Sequence, residues 1–513
     1  MSEDPRTDTV DGVLRRAAAR QPGRIALTFD GRTWTYRELD DAVTRAAGRL
    51  LDLGLATGDR VAGYGVNSDA YVIGFLACAR AGLVHVPVNY ALTGSELRYL
   101  LTQSGARAVL VDPALGANLE SVRAELDDVE HVVPLRDAAG SLLESARAGD
   151  VPQLGASASA GDLVQLLYTS GTTSKPKGAM MTHGALVHEY VSSVIALGLD
   201  ADDNPLICMP LYHSAGMHVF MLPYLSVGAT VHLMQAPDIP EILRRIEADR
   251  IGSLFLAPTV WVPLAGHPDL DTRDLSSLKK AQYGASIMPV TVLNRLRERY
   301  PDLGFYNCFG QSEIGPLATV LGPEDHEERP SSCGRAVFFV ETRVVDADGN
   351  DVPDGESGEI LYRSPQLCQG YWENPEATAE AFRDGWFHSG DMVTRDPAGF
   401  ITVVDRIKDV INTGGILVAS REVEDALYTH PAVAEVAVIG VPDEKWIEAV
   451  TAVVALRDDA DPDAVTADVL IEHVRQHIAP FKVPKRIRFV SALPRNQSGK
   501  LLKRELRGEL DPV

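Results

Sequence analysis

"LLYTSGTTSKPKGAMMTHGA", residues 166–185, sets a strand-like apolar run directly before a loop of hydroxyls, glycines and lysines. Such a loop invites comparison with the commonest phosphate cradle, G-x-x-x-x-G-K-[ST], whose second glycine lets backbone N–H groups wrap an anion. Here Gly171 is followed by Pro176, Lys177 and Gly178. Proline has no N–H and a fixed φ, so that nest is excluded. What remains is Thr169, Ser170, Thr172, Thr173 and Ser174, hydroxyls able to donate to phosphate oxygens, with lysines supplying charge. Alone, the loop reads either as an anion site or as a polar surface turn.

Outward from it, short flat apolar runs alternate with segments of helical spacing. "DRVAGYGV", "GLVHVPVN", "ARAVLVD", "DLVQLLYT", "GATVHLM" and "IGSLFLAP" read as buried strands. "TDTVDGVLRRAAARQP" and "RELDDAVTRAAGRLLDLG" read as helices. The alternation predicts a layered α/β architecture with largely parallel sheets. From about Cys333, strands joined by Asp/Gly turns predict a small β-rich subdomain, about residues 330–404. A further α+β set follows, with Ser420 read as a helix N-cap, so the expected domains are 1–406 and 407–513.

The 513 residues exceed one ordinary core, and 48 Lys+Arg against 71 Asp+Glu give a formal charge of −23. Such a surface repels nucleic acid and anionic membranes, so a polyanionic ligand needs a local positive patch. One candidate is residues 481–508, with nine basic side chains against Glu505, although a solvated basic face explains most of them. The polar N-terminus resembles no signal or transit peptide, and no run of about 20 apolar residues predicts a membrane span. Five scattered cysteines without a CxxC pair argue against a disulfide framework and a zinc site, and make a cytoplasmic location the default.

Seven further motifs then appear in a fixed order: "PLYHSAG" (210–216), "YGASIM" (283–288), "YNCFGQSE" (306–313), "GEILYRSP" (358–365), "GWFHSGD" (385–391), "DRIKDVI" (405–411) and "PRNQSGK" (494–500). Together with "YTSGTTSKPKG" they resemble the ATP-dependent adenylate-forming superfamily of acyl-CoA synthetases, carrier-loading adenylation domains and luciferases. The resemblance runs from roughly residue 10 to 508. It implies a large N-terminal α/β domain hinged to a small α+β domain. The implied reaction joins a carboxylate to the α-phosphate of MgATP, releases pyrophosphate, and passes the acyl group to a thiol. Two anions must meet, at a cost of ~1 kcal/mol per unit pair at about 4 Å in water and several at lower dielectric, so the site needs cations.

Carried onto this sequence, the resemblance gives Lys500 the bridge between substrate carboxylate and α-phosphate. Glu313 becomes the magnesium carboxylate, a single oxygen donor being enough for an ion that keeps phosphates and water. Thr169, Ser170, Gly171, Thr172, Thr173 and Lys177 would hold the departing phosphates. Phe309 would stack on adenine, with Gly284, Ala285, Asn307, Gly310 and Ser312 around the nucleotide. Asp391 would accept the ribose hydroxyls, Arg406 would touch ribose or phosphate, and Lys408 marks the hinge. The acyl pocket would be lined by Tyr212, His213, Met217, Phe220, Tyr283, Gly284 and Ile314, with His213 also a catalytic candidate. These are mainly apolar or aromatic, predicting a monocarboxylic acid with a fatty or aromatic tail.

In a second pose, Gly414, Gly415, Ile416 and Leu417 would face the incoming thiol. Ile416 and Leu417 stand where the family commonly has a polar pair, which leaves the acceptor open between coenzyme A and the phosphopantetheine of a carrier protein. A non-enzymatic nucleotide-binding protein is opposed by Lys500, Glu313 and Asp391, and nothing points to luciferase-like oxygenation. "DADGND" (346–351) imitates a calcium loop but lacks its Gly and Glu, so it reads as a turn. "GQSEI" (310–314) likewise fails as a nucleophile elbow.

Overall fold

The computed structural model describes residues 8–510 apart from 156–157, 170–174, 287, 414–415, 444, 458–459, 462–463 and 496–500. The chain forms two compact units, Met1–Thr342 with Tyr362–Phe387, and Arg343–Leu361 with His388–Val513.

The first unit is the layered α/β body. Its six-stranded sheet runs His131–Pro134, Ala106–Val111, Arg60–Tyr64, Val84–Val88, Leu163–Thr169, Lys177–Thr182. All neighbours are parallel except the last pair. Val84–Val88 is buried at every residue, as a strand covered on both faces should be. The nine-stranded sheet has a parallel centre of Gly304–Phe309, Lys280–Gly284, Ser253–Leu256, Pro205–Ile207, Val231–Leu233 and Ile25–Phe29. Antiparallel strands finish both of its edges.

Local chemistry explains the helices. Thr35 and Glu38 close a capping box at the start of Tyr36–Asp52. Asp69–Ala81 begins on Ser68, ends on left-handed Gly82 (φ 72°), and is buried all round. Deep in this unit, Gln165 links two buried imidazoles: its amide meets His85 Nδ1 at 3.1 Å and His218 Nε2 at 2.6 Å, while Tyr190 donates to His218 Nδ1 at 3.0 Å. Burial pushes both imidazoles down to about 3.

The second unit carries an antiparallel sheet ordered Ile416–Val418, Ile411–Thr413, Ile447–Leu456, Val433–Asp443, with Arg486–Phe489 parallel to Ile447–Leu456. Helices Ser420–Tyr428 and Ala467–Arg475 contribute Val423, Leu427, Leu470 and Val474 to its core. Ser420 is not the N-cap expected from sequence. Ala419 holds that position, and the Ser420 hydroxyl donates instead to Asp405 Oδ2 at 2.7 Å. The "DADGND" stretch is a turn, with Asp346 Oδ1 accepting the N–H groups of Asp348 and Asn350 at 2.9 Å each.

The basic stretch near the C-terminus is largely neutralised within this unit. Lys482 pairs with Glu422, Arg486 with Asp443, Arg495 with Glu435, Lys503 with Glu424 and Arg507 with Asp409, at 2.5 to 2.9 Å. Most of that cluster is therefore internal pairing rather than an open cationic face. No helix among the described residues is long and apolar enough to cross a membrane.

Candidate active site

Strand Leu163–Thr169 delivers Thr169 to the sheet end, and the chain returns as Lys177–Thr182, paired antiparallel with it through Thr169 and Lys177. The loop tip, with Ser170, Gly171, Thr172 and Thr173, lies outside the described residues, as do Gly414, Gly415 and Lys500.

Glu313 sits in the short turn Ser312–Ile314 that follows strand Gly304–Phe309. It is 8% exposed. Thr169 donates to its Oε1 at 3.1 Å, and Tyr371 donates to the same oxygen at 3.0 Å. The two donors come from opposite directions in sequence, and both fix the carboxylate beside the foot of the phosphate-type loop. Burial and the Glu313 charge push the Tyr371 phenol far above its ordinary value, so it stays a donor. Lys177 Nζ lies 5.2 Å from the centre of the Tyr371 ring, a cation–π approach that stations a positive charge there.

Residues 366–372 join these parts. Cys368 N–H donates to the Glu313 carbonyl at 2.8 Å. Met180 N–H donates to the Gly370 carbonyl at 2.9 Å, Gln369 N–H to that of Met180 at 2.9 Å, and Trp372 N–H to that of Gly178 at 2.8 Å. One face of the segment thus pairs with the strand leaving the loop, while its other contacts hold Glu313. Sequence reading missed this segment altogether. Residue 371 is 58 positions from residue 313, and no spacing rule connects them; only strand pairing in the folded chain does.

The turn after strand Lys280–Gly284 is shaped for close approach. A Cβ on Gly284 would lie 2.2 Å from the Cys308 carbonyl oxygen. Ala285 has φ 63°, a left-handed conformation that a non-glycine residue adopts at a cost of order 1–3 kcal/mol. Gly310 has φ 155°, and a Cβ there would meet the Pro316 oxygen at 2.0 Å. Phe309 is half-buried, and its carbonyl accepts Ala318 N–H at 2.8 Å. Asn307 commits an N–H to the Ser332 carbonyl at 2.9 Å. The hydroxyls of Ser312 and Ser214 meet at 2.9 Å, tying the Glu313 turn to the "PLYHSAG" motif.

That motif runs into Ala215–Met221, a wide π-type turn, where the Leu222 N–H reaches back to Met217 O. Met217 and Ile314 are buried, whereas Tyr212 and His213 are half-buried. Tyr212 packs edge-on against Tyr90, with ring centres 5.4 Å apart, and its buried hydroxyl has no hydrogen-bond partner among the described residues. Tyr283 requires a correction. Its ring lies in the core and its hydroxyl bonds His326 Nε2 at 3.0 Å, so its side chain is occupied internally. A side chain two residues along a strand returns to the same face, and this one faces inward.

In the second unit, Asp391 and Arg406 are register partners on neighbouring strands and form an ion pair at 2.7 Å. Asp391 is buried, and its N–H donates to Ser389 Oγ at 3.0 Å. Lys408 is exposed in the turn Ile407–Asp409, and Asp409 at its end is bound by Arg507. Ile416 is 49% exposed on the edge of its hairpin. The side chain of Leu417 lies outside the described residues.

Residues 14–372 match the AMP-binding enzyme family, and residues 422–500 match the AMP-binding enzyme C-terminal domain. The chain belongs to the AMP-binding enzyme family. It is 39% identical to a feruloyl-CoA synthase of Amycolatopsis over 96% of this chain and 97% of that one. It is 36% identical to an indoleacetate–CoA ligase of Aromatoleum aromaticum, covering 96% of each. Among solved structures, the anthranilate CoA ligase AuaEII in complex with anthranoyl-AMP superposes with a TM-score of 0.91 at 27% identity, over 99% of this chain and 98% of that one.

Proposed function

We propose that the acid handled by this enzyme is an aromatic monocarboxylate. The chain activates a carboxylic acid as its acyl-AMP, releasing pyrophosphate, and then passes the acyl group to coenzyme A. Carrier-protein loading is not favoured, since the feruloyl-CoA synthase and the indoleacetate–CoA ligase, each matched over 96% of this chain, use coenzyme A. The observation that carries the adenylation reading is the pinned carboxylate: Glu313 held by Thr169 and Tyr371 beside the loop strand, with Lys177 nearby.

The aromatic assignment rests on the edge-on Tyr212–Tyr90 pair, which sets two aromatic rings at the motif assigned to the acyl pocket. The feruloyl, indoleacetyl and anthranoyl relatives support it. A panel of carboxylic acids assayed by pyrophosphate release tests the proposal. Aryl acids should outrun straight-chain acids of similar size, and a preference for amino acids, dicarboxylates or long alkanoates refutes it.

Magnesium fits the residues present. A single buried carboxylate whose donors among the described residues both meet Oε1 suits a hard cation that keeps phosphate and water in its remaining positions. When bound, the ion supplies neutralising charge to the phosphate oxygens. The protein's own part is to hold Glu313 still, to set the hydroxyls of 169–174 and Lys177 against the departing phosphates, and to stack adenine on Phe309. Asp391, already oriented by Arg406, would accept the ribose hydroxyls.

Lys500 is assigned the bridge between the two reacting anions. Domains 1–406 and 407–513, with the hinge at Lys408, are assigned so that Lys500 serves adenylation and the 414–417 hairpin serves thiol transfer. Movement between two such poses makes a domain rotation part of the cycle. A cytoplasmic location is proposed from the five unpaired, buried cysteines.

A further inference from the structure

Four polar side chains behind the Glu313 turn are 0% exposed: Glu189, Ser192, Ser193 and Gln366. None belongs to a motif that carries the family resemblance, and burying so many polar groups together is costly unless each finds a partner. Their partners converge on one stretch of backbone. Gln366 Nε2 donates to the carbonyls of Ile314 at 3.2 Å and Leu317 at 3.1 Å, and to Glu189 Oε2 at 2.6 Å, so its two hydrogens are shared among three acceptors. Glu189 in turn accepts the Leu317 N–H and the Ser193 hydroxyl, the latter at 3.0 Å on Oε1. Ser192 donates to Gln366 Oε1 at 2.6 Å, which fixes which way the amide faces.

We propose that Glu189 and Gln366 are positioning residues that hold backbone 314–317 and thereby aim Glu313 and Gly310 at the metal–nucleotide. The clamp reaches both. Ile314 is bonded directly to Glu313 in the chain, and the Cys368 N–H, two residues from Gln366, holds the Glu313 carbonyl at 2.8 Å. At the other end, Pro316 O packs against Gly310, where a Cβ would approach to 2.0 Å, and Ala318 N–H holds Phe309 O at 2.8 Å. Glu189 also abuts Gly315, whose added Cβ would lie 3.2 Å from Glu189 Cβ. An apolar filler at 189 or 366 would occupy the same space without fixing three backbone groups of one loop. Groups that orient a metal ligand commonly govern affinity by 10- to 100-fold without touching the ion.

The inference rests on the reading of Glu313 as the metal carboxylate, so the test separates the two. Full-length Gln366→Leu and Glu189→Gln are titrated with Mn2+ in the presence of α,β-methylene-ATP, with bound Mn2+ read by electron paramagnetic resonance. Glu189→Gln keeps the volume but replaces one acceptor oxygen by an N–H donor, so it serves if Gln366→Leu does not fold. Ile246→Ala, in the core of a remote helix, controls for lost stability: it should lower Tm and leave Mn2+ affinity unchanged. Roughly tenfold weaker Mn2+ binding in the two clamp variants, folded at the assay temperature, is the expected result. Affinity within twofold of wild type in both overturns the inference. If Glu313→Gln itself binds Mn2+ like wild type, the underlying metal reading falls with it; if Glu313→Gln loses binding while the clamp variants keep it, only the clamp falls.

Discussion

Replacing Tyr371 by Phe removes one oxygen atom from the buried wall beside Glu313 and leaves everything else in place. The phenol donates to Glu313 Oε1 at 3.0 Å, and Thr169 donates to the same oxygen at 3.1 Å. A hydrogen bond to a charged group contributes about 1.5–3 kcal/mol, which corresponds to roughly 10- to 100-fold in a rate or binding constant. The lower end applies, because Thr169 still holds the carboxylate and the ring that faces Lys177 survives. Pyrophosphate release in a single turnover, at saturating ATP and acid with magnesium varied, should be about tenfold slower. Thr169→Val added to Tyr371→Phe strips both donors, and the double loss should exceed the sum of the single losses in free energy, since the two share one acceptor. A Tyr371→Phe rate within twofold of wild type at every magnesium concentration would refute the reasoning.

Acid should destabilise the fold through buried imidazoles. Burial holds His85 and His218 down to about 3, and His183 and His326 down to about 4, against an ordinary value near 6.5. The unfolded chain therefore binds more protons below pH 6.5, and the stability these groups confer falls from there towards pH 4, by about 2 kcal/mol per histidine between pH 7 and 5. Burial raises the Glu189 carboxyl, which works in the opposite sense and offsets part of this. Denaturant melts across pH 5–7.5 should show the slope, reduced by about one proton in His218→Gln; an unchanged slope contradicts the account. Gly284→Ala would set a methyl 2.2 Å from the Cys308 carbonyl oxygen, so binding of ATP measured by calorimetry should weaken, and unimpaired binding in a folded variant would refute a tight turn at the nucleotide. Changing Ile416 and Leu417 to a polar pair should alter thioester formation and leave pyrophosphate release untouched; an equal effect on both removes the division of labour assigned to the hairpin.

Local chemistry made much of this molecule legible before folding was considered. Strands such as Val84–Val88 and Leu163–Thr169 are read from short, mainly apolar runs, and their central residues are buried on both faces. Glu313, Asp391 and the 169–178 loop are candidates because each sits in a short contiguous motif that carries the family resemblance. What stayed hidden depends on partners distant in the chain. Ser420 has the look of an N-cap, yet Asp405, fifteen residues earlier, takes its hydroxyl. Tyr283 looks like pocket lining within its motif, but its strand turns it inward to His326. Tyr371, Glu189 and Gln366 carry no local signature, and their roles arise only where residues 366–372 lie against the Glu313 turn.

Acid-dependent exchange of labelled pyrophosphate into ATP, run without coenzyme A, tests the central claim most directly. The pinned Glu313 site predicts exchange with an aryl monocarboxylate, and predicts that added coenzyme A then converts the accumulated acyl-AMP to thioester. Thioester formation with no exchange and no AMP released would contradict it.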